Sequence, residues 1–198
     1  MRVELTVTQS HSAVPYEESA MLSLSALPCL TIPAGGTVPA GPPDPQNLFC
    51  SLTLPGAPHA ARIARGAVTV ALHTHGLAPL AAATVQATSE LVAAAAKLSP
   101  GEDLYLSLRY RTGTVRLTAF DGQAARARTP LAEALDTRRR AALRFLACLV
   151  RECSGSWGFE PSREPGGGTR TWVCLPHEGA ADYGAFAAEP RAGRGRRG

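Results

Sequence analysis

Four residues in the C-terminal half have the types and spacing that could hold a metal. Cys148 and Cys153, with Cys174 and His177, would supply three thiolates and an imidazole, an acceptable zinc set. Their local contexts oppose it. Cys148 and Cys153 stand five apart in a stretch of helical period, so their side chains diverge, and Cys174 falls in a core-like strand pattern. Buried, inert thiols are the ordinary outcome there. His73 and His75 lie where a helix should end, which suits a surface cap better than a ligand pair. No Ser, His and Asp arrangement for nucleophilic catalysis stands out. The carboxylates of interest are Glu90, inside the alanine-rich stretch Ser89–Ser99, and Asp121, at the end of an alternating run just before Gly122. Taken alone, these read as a solvated helix residue and a turn residue.

The 198 residues, 45% of them hydrophobic, suffice for one domain with a proper core. The net charge of +4 is unevenly spread, because Arg138–Arg140 and the tail Arg191–Gly198 together hold seven arginines. The rest of the chain is close to neutral, so any basic contact is local. That tail carries no interleaved aromatics for base stacking, which speaks against a nucleic-acid partner. No apolar run is long enough to span a bilayer, and Met1–Ser10 lacks the pattern of a secretory signal. Five cysteines, an odd number, favour reduced thiols and a cytoplasmic location over a disulfide framework.

These residues must be positioned by regular elements. Residues 1–46 hold one alternating run, Val3, Leu5 and Val7, then a Pro/Gly-rich leader in which Met21–Leu30 is an apolar cluster. The domain is expected over residues 47–177. Leu48–Leu54 alternates as a strand, and an amphipathic helix follows from His59, with Ile63, Ala67, Val70/Ala71 and Leu72 inward. Pro79 opens a second helix with Leu80, Thr84, Ala87, Leu91, Ala94/Ala95 and Leu98 along one side, ended by Ser99-Pro100-Gly101. A hairpin turns at Arg111-Thr112-Gly113, with Leu104, Leu106, Leu108 and Tyr110 facing in, answered by Val115, Leu117 and Ala119. A third helix is expected from Asp136 to about Cys153, then a last hairpin of Trp157–Pro161 and Thr169–Leu175. Residues 178–198 read as a loose Arg/Gly-rich tail. Helices and hairpins are segregated, which predicts an α+β, two-layer sandwich: a mixed, mostly antiparallel sheet with helices on one face.

That order, with three local sequences, resembles the histidine-kinase-like ATPase superfamily, and within it the small bacterial anti-sigma-factor serine kinases. Glu90-Leu91-Val92-Ala93-Ala94-Ala95-Ala96-Lys97-Leu98 is similar to the family's E-L-[VL]-x-N-[AS]-x-[KR]-[HY] helix, with Ala94 at the asparagine position. Leu117–Asp121 is similar to the strand whose aspartate receives a hydrogen bond from the adenine amino group, although Gly122 comes one place early and Gln123 takes a glycine position. Arg140-Ala141-Ala142-Leu143-Arg144-Phe145-Leu146 aligns with the glycine-rich phosphate turn, with Arg140 and Ala142 where glycines belong. Trp157-Gly158 and Thr169–Pro176 match the closing elements, so the likeness covers roughly residues 48–176.

The resemblance implies that Glu90 holds the ancestral catalytic position and that Lys97, Asp121, Gly122 and Arg140 occupy nucleotide-binding positions. In the family the asparagine oxygen holds the magnesium that bridges the triphosphate, and Ala94 has no oxygen to offer. The implied function is therefore a regulatory, anti-sigma-factor-like protein-binding module with lost Mg-ATP chemistry and no metal. Its partner would be a sigma factor or an anti-anti-sigma-like protein, and a homodimer is among the assemblies allowed. The alternative is an ATP- and magnesium-dependent serine kinase with a non-standard nucleotide site.

Overall fold

Period-two alternation of apolar and polar residues builds the sheet. In the computed structural model, which describes residues 5–6, 41–122, 130–162 and 168–188, the strands are β1 (Leu5–Thr6), β2 (Phe49–Pro55), β3 (Asp103–Arg111), β4 (Thr114–Asp121), β5 (Ser156–Pro161) and β6 (Thr169–Pro176). Their spatial order is β1-β2-β3-β4-β6-β5, and every described pairing is antiparallel. Five strands form the body of the sheet; β1 adds only Leu5 opposite Leu52 and Thr6 opposite Ser51. Cys50, Leu108, Leu117 and Val173 line up across four strands as one buried row, and Leu52, Leu106, Ala119 and Thr171 as the next. Each large side chain buried this way contributes about 1.5–3 kcal/mol.

The hairpin between β3 and β4 closes through Thr112 and Gly113, at φ 47° and 72°. Two successive left-handed residues give the primed turn that matches strand twist. Thr112 adopts that backbone at a cost glycine would not bear, and its N–H donates to Gln46 Oε1 at 2.9 Å.

Among the described residues, helices cover one face only. α1 (Ala60–Thr74) and α2 (Ala81–Leu98) pack side by side, with a 3-10 turn Ala78–Leu80 carrying Pro79 between them. The α2 stripe is the expected one: Leu80, Thr84, Ala87, Leu91, Ala94, Ala95 and Leu98 are all buried. The α1 stripe is rotated from expectation. Ala60, Ala64, Val68 and Leu72 are fully buried at intervals of four, while Val70 is 65% exposed. Small residues on the inner face of α1 let it lie close to its neighbours.

Two further expectations are corrected. The third helix begins earlier, at Pro130, and is broken into α3 (Pro130–Ala142) and α4 (Arg144–Glu152). The break falls at Leu143, whose backbone sits at φ −97°, ψ 11° and whose side chain is buried. Burying that leucine sets the direction in which α4 leaves. The chain after Pro176, expected to be loose, forms α5 (His177–Ala188). Ala180 is fully buried and α5 lies against α2 and the 3-10 turn. A Cβ at Gly179 would collide with the carbonyl of Cys153, and one at Gly184 would stand 2.7 Å from the carbonyl oxygen of Pro79. Small residues there mark close contact, not looseness. The expected leader elements over residues 7–40, Gln123, and the Arg-rich segment 189–198 lie outside the described residues. No helix among the described residues is long and apolar enough to cross a membrane.

Candidate functional site at the end of strand β4

Asp121 continues the series Val115, Leu117, Ala119, so the pleat turns its carboxylate toward the helices. It is 4% exposed, and a carboxylate there needs a partner. The partner is Arg139, on the inner side of α3 and also 4% exposed. Arg139 Nη1 donates to Asp121 Oδ2 at 2.6 Å and Nη2 donates to Oδ1 at 3.3 Å, a fork-to-fork pairing. Nη1 also lies 3.5 Å from Thr171 Oγ1 on the neighbouring β6. Phe159 of β5 offers its ring to two cations, with the Arg139 guanidinium 5.7 Å and that of Arg140 4.9 Å from the centroid. Gly168 closes the site from the other side. At φ 96° its missing Cβ would fall on the carbonyl oxygen of Asp121, so only glycine lets the chain enter β6 this close.

Taking two charges out of water is costly, and the mutual attraction offsets it only with good geometry. Such a pair contributes little net stability, yet losing one member leaves a buried charge behind. Each carboxylate oxygen can accept more than one hydrogen bond, so what limits Asp121 as a reader of another donor is its burial together with Arg139.

The other predicted positions are distributed as follows. Glu90 is half-buried on α2 and accepts a hydrogen bond from Gln86 Nε2 at 2.9 Å. Ala94 is 4% exposed and belongs to the apolar core between helices and sheet. Lys97 is exposed and lines a small cavity of about 250 Å³ with Ala57, Pro58, Ala61 and Val92. Gly122 is exposed beside the side chain of Glu102. Arg140 is exposed at the C-terminal end of α3. The segment aligned with the phosphate turn, Arg140–Leu146, closes α3 at Ala142 and opens α4 at Arg144, with no glycine in it. A helix N-terminus cradles phosphate through backbone amides, and here the chain leads into α4 through Ala141, Ala142 and the buried Leu143. Asp121 and Arg140 are brought to the same neighbourhood through Arg139 and Phe159, whereas Glu90 and Lys97 have other neighbours.

The zinc candidates are not assembled. Cys148 is exposed on α4, Cys153 is buried, and Cys174 points to the far side of the sheet. His177 Nδ1 lies 2.8 Å from the hydroxyl of Tyr110. Among the described residues, no three His, Cys, Asp or Glu side chains are placed to hold a metal. Burial pushes the thiols of Cys50 and Cys153 up, Cys153 also through the charge of Glu152.

Arg139, Thr171 and Phe159 are the residues that sequence reasoning missed. Arg139 stood in a run of three arginines with nothing to single it out, but the parity of Asp121 with Leu117 and Ala119 was a usable sign that its carboxylate needed a cation. The chain matches no protein-family model and no curated protein.

Proposed function

We propose that the protein is a degenerate histidine-kinase-like ATPase domain that binds a protein partner and does not carry out Mg-ATP chemistry. One observation carries this: the carboxylate at the adenine-reading position is taken by Arg139, which is itself buried. Adenine recognition requires that carboxylate to face space that an amino group can enter, and here it is 4% exposed and paired with the guanidinium. Ala94 and the run Arg140–Ala142 ahead of α4 agree, the first by offering no magnesium ligand and the second by lacking the glycines that let backbone approach a phosphate.

A protein partner agrees with what the helical elements expose. Phe145 on α4 is 64% exposed and Phe186 on α5 is 77% exposed. Exposed aromatics are the side chains that most often anchor protein interfaces. By the resemblance, the partner is a sigma factor or an anti-anti-sigma-like protein, in the cytoplasm. The serine-kinase alternative requires Asp121 to be released from Arg139 before ATP enters.

Calorimetric titration with ATP, with and without magnesium, tests the proposal. Expected is no binding heat up to millimolar ATP in either case. Micromolar, magnesium-dependent binding overturns it.

A further inference from the structure

The face of the sheet turned away from the helices carries a different chemistry. Across β3 and β4 three cross-strand pairs follow one another: Tyr105 opposite Phe120, Ser107 opposite Thr118, and Arg109 opposite Arg116. The aromatic pair is in ring contact, with centroids 5.8 Å apart, and Tyr105 is 38% exposed. The small hydroxyl pair between leaves a trough, and the two arginines close its other end with Arg111 beyond them. Together they line the cavity of about 720 Å³ on this face. Among the described residues, no carboxylate lines it. Arg170, also lining it, is neutralised by Glu160 across the β5–β6 pair.

Like charges directly opposite on neighbouring strands are destabilising. Among the described residues Arg109 is relieved by the Phe49 ring, 4.5 Å from its guanidinium. Two facing arginines suit an anionic ligand. A second copy of the chain brings the same arginines and is repelled. An acidic peptide answers the arginines but has no use for the aromatic end. A single strand of nucleic acid answers both, with phosphates on the arginines and a base against Tyr105 and Phe120.

We propose that this open sheet face binds single-stranded nucleic acid, with Arg109, Arg111 and Arg116 on the phosphates and Tyr105 as a stacking platform. The proposal goes beyond the function above and does not depend on it. It also places nucleic-acid contact away from the aromatic-free tail.

Fluorescence anisotropy with the full-length chain tests it, using labelled oligouridylate and oligothymidylate of about twelve nucleotides. Three phosphate contacts predict a slope of log affinity against log salt near −2, a loss of about twentyfold between roughly 50 and 200 mM salt. The double variant R109A/R116A should bring the slope to about −0.7, while R109K/R116K keeps it near −2. Tyr105→Ala should weaken binding about tenfold with the slope unchanged. Preference for the uridylate over the thymidylate strand, or the reverse, tells RNA from DNA and supports the proposal either way. No binding by either strand overturns it. So does binding that survives R109A/R116A but is lost when the four tail arginines are changed to serine. Equal competition by polyglutamate with no effect of Tyr105→Ala overturns it in favour of an acidic protein surface. Circular dichroism of each variant separates lost binding from lost fold.

Discussion

Arg139 and Asp121 meet fork to fork inside the domain, at 2.6 and 3.3 Å, although eighteen residues separate them in the chain. This buried pair ties α3 to the end of β4 and makes the occupied carboxylate a structural element.

Arg139→Met should cost about 3–5 kcal/mol, because it strips Asp121 of its bidentate partner while keeping it buried. The double variant R139M/D121L should recover most of that loss, since apolar groups of similar volume need no partner. Urea unfolding midpoints of the two variants check this. A single variant as stable as the parent removes the role assigned to the pair.

Ala94→Asn introduces the side chain that the proposed ancestry would have at this position. The site is core, so the longer amide should destabilise the fold by about 1–3 kcal/mol through crowding and an unmet polar group. ATP should still not bind, since Asp121 stays engaged with Arg139. Thermal unfolding and the calorimetric titration measure the two parts separately.

Gly179→Ala sets a methyl against the carbonyl of Cys153, backbone that has little freedom to yield. It should loosen α5 with a loss of about 1–3 kcal/mol. Limited proteolysis reports it directly, as new cleavage within His177–Ala188 at protease levels that leave the parent intact.

The cysteines predict a pH response. Burial raises Cys50 and Cys153 above the ordinary thiol value of 9.0, so folding favours their protonated forms. The stability this adds is complete below the unfolded-state value and is lost as pH rises through the higher folded-state values. Denaturant midpoints should therefore fall on the alkaline side, above about pH 9. Iodoacetamide at neutral pH should label exposed Cys148 while Cys50 and Cys153 stay protected until unfolding. Labelling of Cys50 at the rate of Cys148 in folded protein contradicts the burial.

Much of the sheet was legible because alternation is a local signal: β3 and β4 show the expected inward residues and the expected turn. The α2 stripe was legible for the same reason, since its large leucines mark one side. α1 misled because alanine is apolar without declaring a side, and the choice among Ala60, Ala64 and Ala67 rests on how closely a neighbouring helix can approach. α5 was hidden by glycines that read as loose chain, when their lack of a side chain is what lets the helix dock. The break at Leu143 has no proline or glycine to announce it. The site was half visible. Asp121 could be placed by parity, but its pairing with one of three adjacent arginines depends on how α3 lies over the sheet, which no local pattern encodes. The arginines facing each other on β3 and β4 became a pair only once the register was known.

The strand order gives the chain a definite schedule of assembly. β6, the last of the described strands in chain order, sits between β4 and β5, so among the described residues β5 has no neighbour in the sheet until residues 169–176 exist. A nascent chain halted before that point leaves the side of β4 opposite β3 as an open hydrogen-bonding edge. An uncovered edge of this kind is where a nascent polypeptide can pair with the wrong chain, and the pairing of β6 with β4 closes it.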